Sequence, residues 1–599
     1  MKSMQSIFIV TIIIFIVTCE SEKPAFFRTY KCVKNVCHRA EHPTTIIDEN
    51  NSNSIKYHNT LASCRLVCER NGNILPLPTG ISEVGKNYLN MNPDNIFFNM
   101  LEVPSEIKPF LTEMSNIFIE NVKLLCGHEC KTDNNLTITV YFKVTSENLD
   151  LNWKTNEEYS LNIPKGGKDN KKVSIDASTI YGARHGLETL SQLIAPSLTS
   201  TGNPVLVIVD NAMIKDKPAY PHRGLLIDTA RNFLPVKDIL RTIDGLAASK
   251  LNILHWHATD SQSFPLEIKS LPYMSLFGAY SPEKIYSVSD MKMIIKYAKI
   301  RGVRVILEID SPSHAGAGWE WGPEANLGNL AVCVNKQPWR DYCIQPPCGQ
   351  LNPVNPNTLS TLRILYRDIL NIWDKDTIMH LGGDELFINC WNSTYEITEK
   401  MKLNGLGLQE KDFFKLWSDF HKSQVDILKE LTNNEDTKAI IWSSHLTSPN
   451  IIENYLNKNK FIIQTWVEAE LELNQQLLDL GYNLIISTKN AWYLDHGIHR
   501  NTYYHTWREV YNNRIPSSRG VLGGEACIWG EYVVSGSLDS RVWPRAAAFA
   551  ERLWTNSPSL KTADVEPRLM AQRERLESKN IYPEAIAPEW CNQHEKQCI

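Results

Sequence analysis

Beyond residue 20 the chain has no apolar run long enough to cross a bilayer, so no membrane span is expected in the mature protein. It has no strong excess of charge. A net charge of -5 with 22% charged residues gives no reason to expect nucleic acid or an acidic lipid surface as a partner. It also lacks a Cys-x-x-Cys pair repeated at zinc-ligand spacing, which removes the usual metal reading of its 14 cysteines. What is present is ordinary globular composition, 43% hydrophobic over 599 residues, which is more than one core and predicts two domains or more.

The one long apolar run, residues 7–18, lies behind Lys2 and is followed by Glu20, Ser21 and Glu22. It reads as a secretory signal peptide spanning 1–20, and the mature protein is expected to be exported, outside the cell or to a lysosome. The cysteines suit that compartment. Cys19 leaves with the signal or sits at its edge. Cys32, Cys37, Cys64 and Cys68 admit three pairings. Close spacing predicts bridges Cys126–Cys130, Cys333–Cys343 and Cys591–Cys598, leaving Cys348 and Cys390 for each other. Cys527, in an apolar run, is expected as a free buried thiol. Glycosylation sequons begin at Asn50, Asn135 and Asn392.

Residues 21–215 are expected to form a smaller α/β domain. Residues 136–144 alternate apolar and polar, predicting a half-buried strand. Residues 181–194 place Leu187, Leu190, Leu193 and Ile194 on one helical stripe, and 205–209 predict a further strand. The prolines of 215–221 suggest a connector. From 216 to 599 the pattern becomes regular. Apolar runs at 224–228, 251–256, 303–309, 377–381, 439–442, 461–466, 484–487 and 521–529 alternate with amphipathic stretches at 236–249, 290–301, 358–374 and 412–430, and 542–554 can close the series. This is the plan of a (β/α)8 barrel, a TIM barrel, with a doubly wound open sheet as the alternative.

Barrel chemistry sits at strand C-termini. There the sequence gathers Asp228 and Arg231; His255, His257 and Asp260; Glu308, Asp310 and His314; and Asp384 and Glu385. Trp442, Trp466, Trp492 with Tyr493 and Asp495, then Trp529 and Glu531, complete the ring. Tryptophans at such positions make stacking walls for a sugar ring. The segment His380-Leu-Gly-Gly-Asp-Glu385 sets two adjacent acids after two glycines, a pairing suited to one proton donor and one group that steadies positive charge.

Five ordered motifs carry a resemblance: Arg223-Gly-Leu-Leu-Ile-Asp-Thr-Ala-Arg231, His255-Trp-His-Ala-Thr-Asp260, His380-Leu-Gly-Gly-Asp-Glu385, Asn490-Ala-Trp-Tyr-Leu-Asp495 and Gly523-Gly-Glu-Ala-Cys-Ile-Trp-Gly-Glu531. Together they resemble family 20 glycoside hydrolases, the β-N-acetylhexosaminidases, and most of all the insect chitinolytic branch. The resemblance implies exo-cleavage of terminal β-linked GlcNAc or GalNAc, in which the substrate's own acetamido oxygen is the nucleophile. By it Glu385 is the acid and base, Asp384 orients the acetamido N–H, and Tyr493 donates to the acetamido oxygen. Arg231, Asp495 and Glu531 hold hydroxyls, and Trp442, Trp466 and Trp529 enclose the sugar. Asp260 and His314 support or position the acid. Ile344 and Trp507 flank the next subsite, where Gln345 replaces an expected glutamate. A carbohydrate substrate, no metal or cofactor, and a homodimer are implied. Chitooligosaccharide is the preferred substrate, with N-glycan termini the alternative.

Two other readings compete. His255 and His257 alternate along one strand and could face a metal, as in amidohydrolase-type barrels. A sugar-binding protein without catalysis is the other, against which the intact Asp384, Glu385 and Tyr493 argue.

Overall fold

A computed structural model describes residues 28–40, 57–126, 135–167, 169–199, 202–373, 378–498, 501–595 and 597–598. The signal-peptide segment, Asn50 and Cys130 lie outside these residues.

Near the N-terminus, antiparallel strands Tyr30–Val33, Val36–Arg39 and Tyr57–His58 pack on the helix Leu61–Cys68. Disulfides Cys32–Cys68 and Cys37–Cys64 tie the two together. A six-stranded mixed sheet follows, in the order Ser82–Val84, Ala212–Asp216, Tyr159–Ile163, Asn170–Ala177, Thr137–Val144, Ile96–Glu102. Thr137–Val144 buries Ile138, Val140, Phe142 and Val144 on one face, as its alternation requires. Helix Ile180–Gln192 covers that face, its first turn capped where the Gly182 N–H donates to Thr179 Oγ1 at 3.2 Å. Strand Ala212–Asp216 runs into the segment expected as a connector, and its Asp216 accepts from Lys250 Nζ at 2.9 Å and from Trp554 Nε1 at 2.8 Å.

The barrel strands are β1 (His222–Asp228), β2 (Ile253–Thr259), β3 (Arg304–Ile309), β4 (Met379–His380), β5 (Ala439–Trp442), β6 (Phe461–Thr465), β7 (Asn483–Ile486) and β8 (Val521–Ile528). All neighbours are parallel, and β8 pairs with β1 from His222↔Gly523 to Ile227↔Ile528, so the sheet closes and the open-sheet alternative falls. At the bottom, Ile253, Ile306, Ile378, Ile440, Ile462 and Ile485 form an aliphatic plug. The layer above is polar. His255 lies 2.8 Å from Glu308 and 2.5 Å from Glu525, and Gln464 Nε2 donates to Glu525 at 2.8 Å. Burial opposes charge on His255, but Glu525 and Glu308 outweigh it and raise its pKa to about 9.

The sheet domain and barrel meet through buried ion pairs. Lys250 Nζ donates to Asp216 and to the Tyr159 hydroxyl, each at 2.9 Å, while Arg223 pairs with Glu157 at 2.7 Å. At the far end of the chain, Glu595 accepts from Arg65 at 2.5 Å and from the Cys37 N–H at 3.1 Å, so the C-terminus closes on the N-terminal disulfide unit.

Two predicted disulfides are corrected. Cys333 pairs with Cys390, and Cys343 with Cys348, in place of Cys333–Cys343 and Cys348–Cys390. The hairpin of Ala331–Val332 with Gln350–Leu351 carries the intervening loop outward. Its Gln350 then accepts the Phe387 N–H at 2.7 Å, which brings the Cys390 segment beside Cys333. Cys591–Cys598 forms as expected. The expected Cys126–Cys130 bridge lies outside the described residues. Cys527 is free and buried, its thiol pushed well up by burial.

Candidate active site

The site is built at the β4 end. Gly382 and Gly383 have φ of +66° and +89°, and a Cβ would lie 1.7 Å from Asp310 Oδ1 at Gly382 and 2.7 Å from the His421 ring at Gly383. Only glycine allows this turn. Its backbone is secured where the Gly382 N–H donates to His380 Nδ1 at 3.0 Å and the Gly383 N–H to Asp310 Oδ1 at 3.2 Å. Burial holds the His380 pKa down against the pull of the Glu308 carboxylate, 3.1 Å from Nδ1. The turn delivers Asp384 and Glu385 together, and the Ser313 hydroxyl donates to the Asp384 carbonyl.

Both acids line a cavity of about 370 Å3 with Arg231, Asp310, His314, Ile344, Gln345, Trp466, Lys489, Tyr493, Asp495, His496, Thr502, Trp529 and Glu531. Behind Glu385, His314 Nε2 lies 3.2 Å from its Oε2, while His314 Nδ1 lies 3.3 Å from Asp260. Burial opposes the His314 cation, but Asp260 and Glu385 prevail and hold its pKa well above the ordinary value. Facing groups of His314, Asp384 and Glu385 fall within 4.8 Å of one another. Burial, then the neighbouring Asp310 carboxylate, pushes Asp384 well above the usual carboxylate range. Burial also pushes the Tyr493 phenol well up, so it remains a neutral donor.

The opposite wall carries hydroxyl-binding chemistry. Arg231 is fixed by Asp260 at 2.7 Å and Asp228 at 3.2 Å, with its guanidinium 5.2 Å from the Trp529 ring centre. Arg231 Nε and Glu531 Oε2 are buried with no hydrogen-bond partner among the described residues. Such groups call for a polar ligand. Burial, then Glu531, raises Asp495 to about 7.

Three expected site residues do not line this cavity. Trp442 is buried beneath it, its Nε1 donating to Glu308 at 2.8 Å, and packs with Tyr493, Trp466 and Trp529. Asp260 is buried behind Arg231 and His314. Trp507 is a clear correction. It opens a short helix and is 5% exposed within the barrel's main core, so it is not a wall of a second subsite. Sequence reading singled out no role for Asp310, Lys489, His496 or Thr502. Asp310 had a signal, its place at a strand end. Of the other three, Lys489 opens the four-residue helix Lys489–Trp492 after β7, and His496 and Thr502 lie in the irregular chain beyond it, segments too short or irregular to show a periodicity. His257, the other half of the metal reading, has Nδ1 3.1 Å from Asp228 and Nε2 3.7 Å from Asp310, so carboxylates flank both ring nitrogens.

The catalytic-domain profile of glycosyl hydrolase family 20 matches residues 220–557, and a second profile, beta-acetyl hexosaminidase like, matches 74–193. The chitooligosaccharidolytic β-N-acetylglucosaminidase of Ostrinia furnacalis is 36% identical over 90% of this chain and 91% of its own. The probable β-hexosaminidase fdl of Drosophila melanogaster is 39% identical over 76% of this chain and 69% of its own. Among solved structures, the Flavobacterium johnsoniae chitobiase superposes with a TM-score of 0.67 at 26% identity, covering 85% of this chain and 73% of that one. The chain belongs to glycosyl hydrolase family 20 and is a β-N-acetylhexosaminidase by membership.

Proposed function

We propose that the protein removes terminal non-reducing β-linked GlcNAc from chitooligosaccharides by substrate-assisted, retaining hydrolysis. The observation that carries this reading is one cavity that joins two adjacent acids and Tyr493 to a wall of hydroxyl-binding groups. Its volume of about 370 Å3 suits a small ligand such as a single sugar ring.

In this mechanism the acetamido carbonyl oxygen attacks the anomeric carbon as the bond to the leaving oxygen breaks, and Glu385 gives that oxygen its proton. In the free enzyme burial favours protonated Asp384. A bound acetamido N–H and the positive charge that develops on the oxazolinium ring favour its carboxylate, which then holds the N–H and steadies the ring, while Tyr493 donates to the acetamido oxygen. Water then opens the ring at the anomeric carbon, and Glu385 takes the water's proton back. His314, kept cationic by Asp260, steadies Glu385 between the two steps. Arg231, Asp495 and Glu531 fix the sugar by its hydroxyls, and Trp466 and Trp529 flank it, with Trp442 packed behind them. Ile344 and Gln345 border the next sugar. The relatives named for chitooligosaccharide cleavage support that substrate. Export is supported by the disulfides and by exposed sequon residues Asn135 and Asn392. Self-association as a homodimer completes the reading, and sedimentation would measure it.

The test is Asp384→Ala. Turnover of an aryl N-acetylglucosaminide should fall by about a hundredfold or more, with weakened binding of a cyclic mimic of the oxazolinium. Cleavage at the native rate would sink the mechanism. A panel of chitooligosaccharides, N-glycan termini and β-GalNAc glycosides assigns the substrate, and preference for glycan termini would overturn the chitooligosaccharide reading.

A further inference from the structure

A second cavity, of about 530 Å3, adjoins the first and shares Glu385, Trp466 and Lys489 with it. Its lining changes with depth. His445, Glu468 and Leu471 are exposed at its mouth, Leu471 by 54%, whereas Trp417, Leu386 and Ser443 are buried at its inner end. Two polar groups on the way to Glu385 are free to hold water. Ser443 Oγ accepts the Trp466 N–H at 3.2 Å but gives its own proton to no group among the described residues. Lys489 Nζ, 4.8 Å from the Trp466 ring centre, has no hydrogen bond or ion pair among them. Trp466 itself is pinned between the two spaces, its Nε1 donating to the Ser443 carbonyl at 2.6 Å. Arg231, Asp495 and Glu531, which line the first cavity, do not line the second.

We propose that this second cavity is the route by which the hydrolytic water reaches Glu385 while the leaving sugar still occupies the rim of the first. The proposal rests on the reading of Glu385 as acid and base. Because the configuration at the anomeric carbon is retained, water must arrive on the face that the leaving oxygen has just vacated. That face adjoins the rim of Ile344, Gln345, His496 and Thr502, where the departing sugar lies. A sugar held there closes the direct way in from solvent, and its own hydroxyl can return to the anomeric carbon in place of water. The second cavity opens on the same carboxyl from the other side of Trp466, with room for several waters and with Ser443 and Lys489 to hand them inward. The water oxygen bonds to the anomeric carbon and its proton goes to Glu385. The bond from that carbon to the acetamido oxygen breaks, and its electron pair restores the acetamido group. Supply from this side lets hydrolysis outrun transfer to a bound sugar.

The experiment counts disaccharide formed per nitrophenol released as the enzyme cleaves a nitrophenyl β-N-acetylglucosaminide in a large excess of N-acetylglucosamine, the acceptor. The native enzyme should hydrolyse far more than it transfers. Leu471→Trp, alone and with His445→Trp, narrows the mouth from positions that are exposed in the fold. The transfer ratio should then rise roughly fivefold or more. Nitrophenol release at low substrate measures bond breaking before water acts, so its kcat/KM should stay native and report correct folding. Leu471→Ser keeps the mouth open and should keep the native ratio. A ratio unchanged in both tryptophan variants, or raised equally by Leu471→Ser, overturns the proposal. Native enzyme that releases no nitrophenol, or that releases the inverted anomer first, overturns the underlying mechanism instead.

Discussion

Asp495, in the sugar-binding wall, has its protonation set by its surroundings. Burial and the adjacent Glu531 raise it from 3.8 to about 7. A raised acid binds its proton in the folded state after the unfolded chain has lost it. Its contribution to stability is therefore full below 3.8 and lost as pH rises through about 7. Above that value two carboxylates face each other beside the hydroxyl-binding wall. We expect kcat/KM to fall as pH passes about 7, and Asp495→Asn to abolish that limb of the profile. An unchanged limb in the variant would assign it to another group. Glu385 admits a second residue-scale test. Glu385→Gln keeps the shape of the side chain but cannot donate the proton, so turnover should drop by about 10² to 10⁴ with ligand affinity retained, as measured by calorimetry with N-acetylglucosamine.

At the scale of the element, the short strand β4 and its glycine turn determine how the acids are presented. The strand itself is two residues long, and the turn after it depends on two left-handed glycines packed on Asp310 and His421. Gly382→Ala would force a Cβ to 1.7 Å from Asp310 Oδ1. The turn must then shift, and an error of about 1 Å in the acids costs about a hundredfold in kcat/KM. Native circular dichroism with that loss would confirm a local effect, and full activity would show that the turn has slack. The loop bearing Ile344 and Gln345 is similarly dependent on local anchors, closed at its base by Cys343–Cys348 and tied to the segment after β4 by Cys333–Cys390.

For the whole molecule, the question is what joins the sheet domain to the barrel. Lys250 and Asp216 are both fully buried at 2.9 Å, with the Lys250 ammonium also 4.5 Å from the Trp554 ring centre. Removing one partner leaves an uncompensated charge. Lys250→Met should lower stability by about 3–5 kcal/mol in denaturant unfolding, with KM unchanged in the protein that remains folded. Pairing it with Asp216→Asn should recover much of that loss, because no lone charge remains. A Lys250→Met protein as stable as the native one would mean that apolar packing alone joins the two parts.

The eight strands and the acid pair were legible in the amino-acid sequence for a common reason. Strands buried on both faces read as continuous apolar runs, and a barrel's chemistry follows directly after them. The sequence therefore determined the barrel, its ring of polar and aromatic strand ends, and the adjacency of Asp384 and Glu385. Contacts between distant segments left no such trace. Only the folded chain decided that Cys333 meets Cys390, that Trp507 packs inward, that Trp442 and Asp260 stand behind the cavity, and that a second space borders Glu385. Those outcomes depend on how loops of irregular backbone lie against one another, and loops carry no periodicity from which a direction can be read.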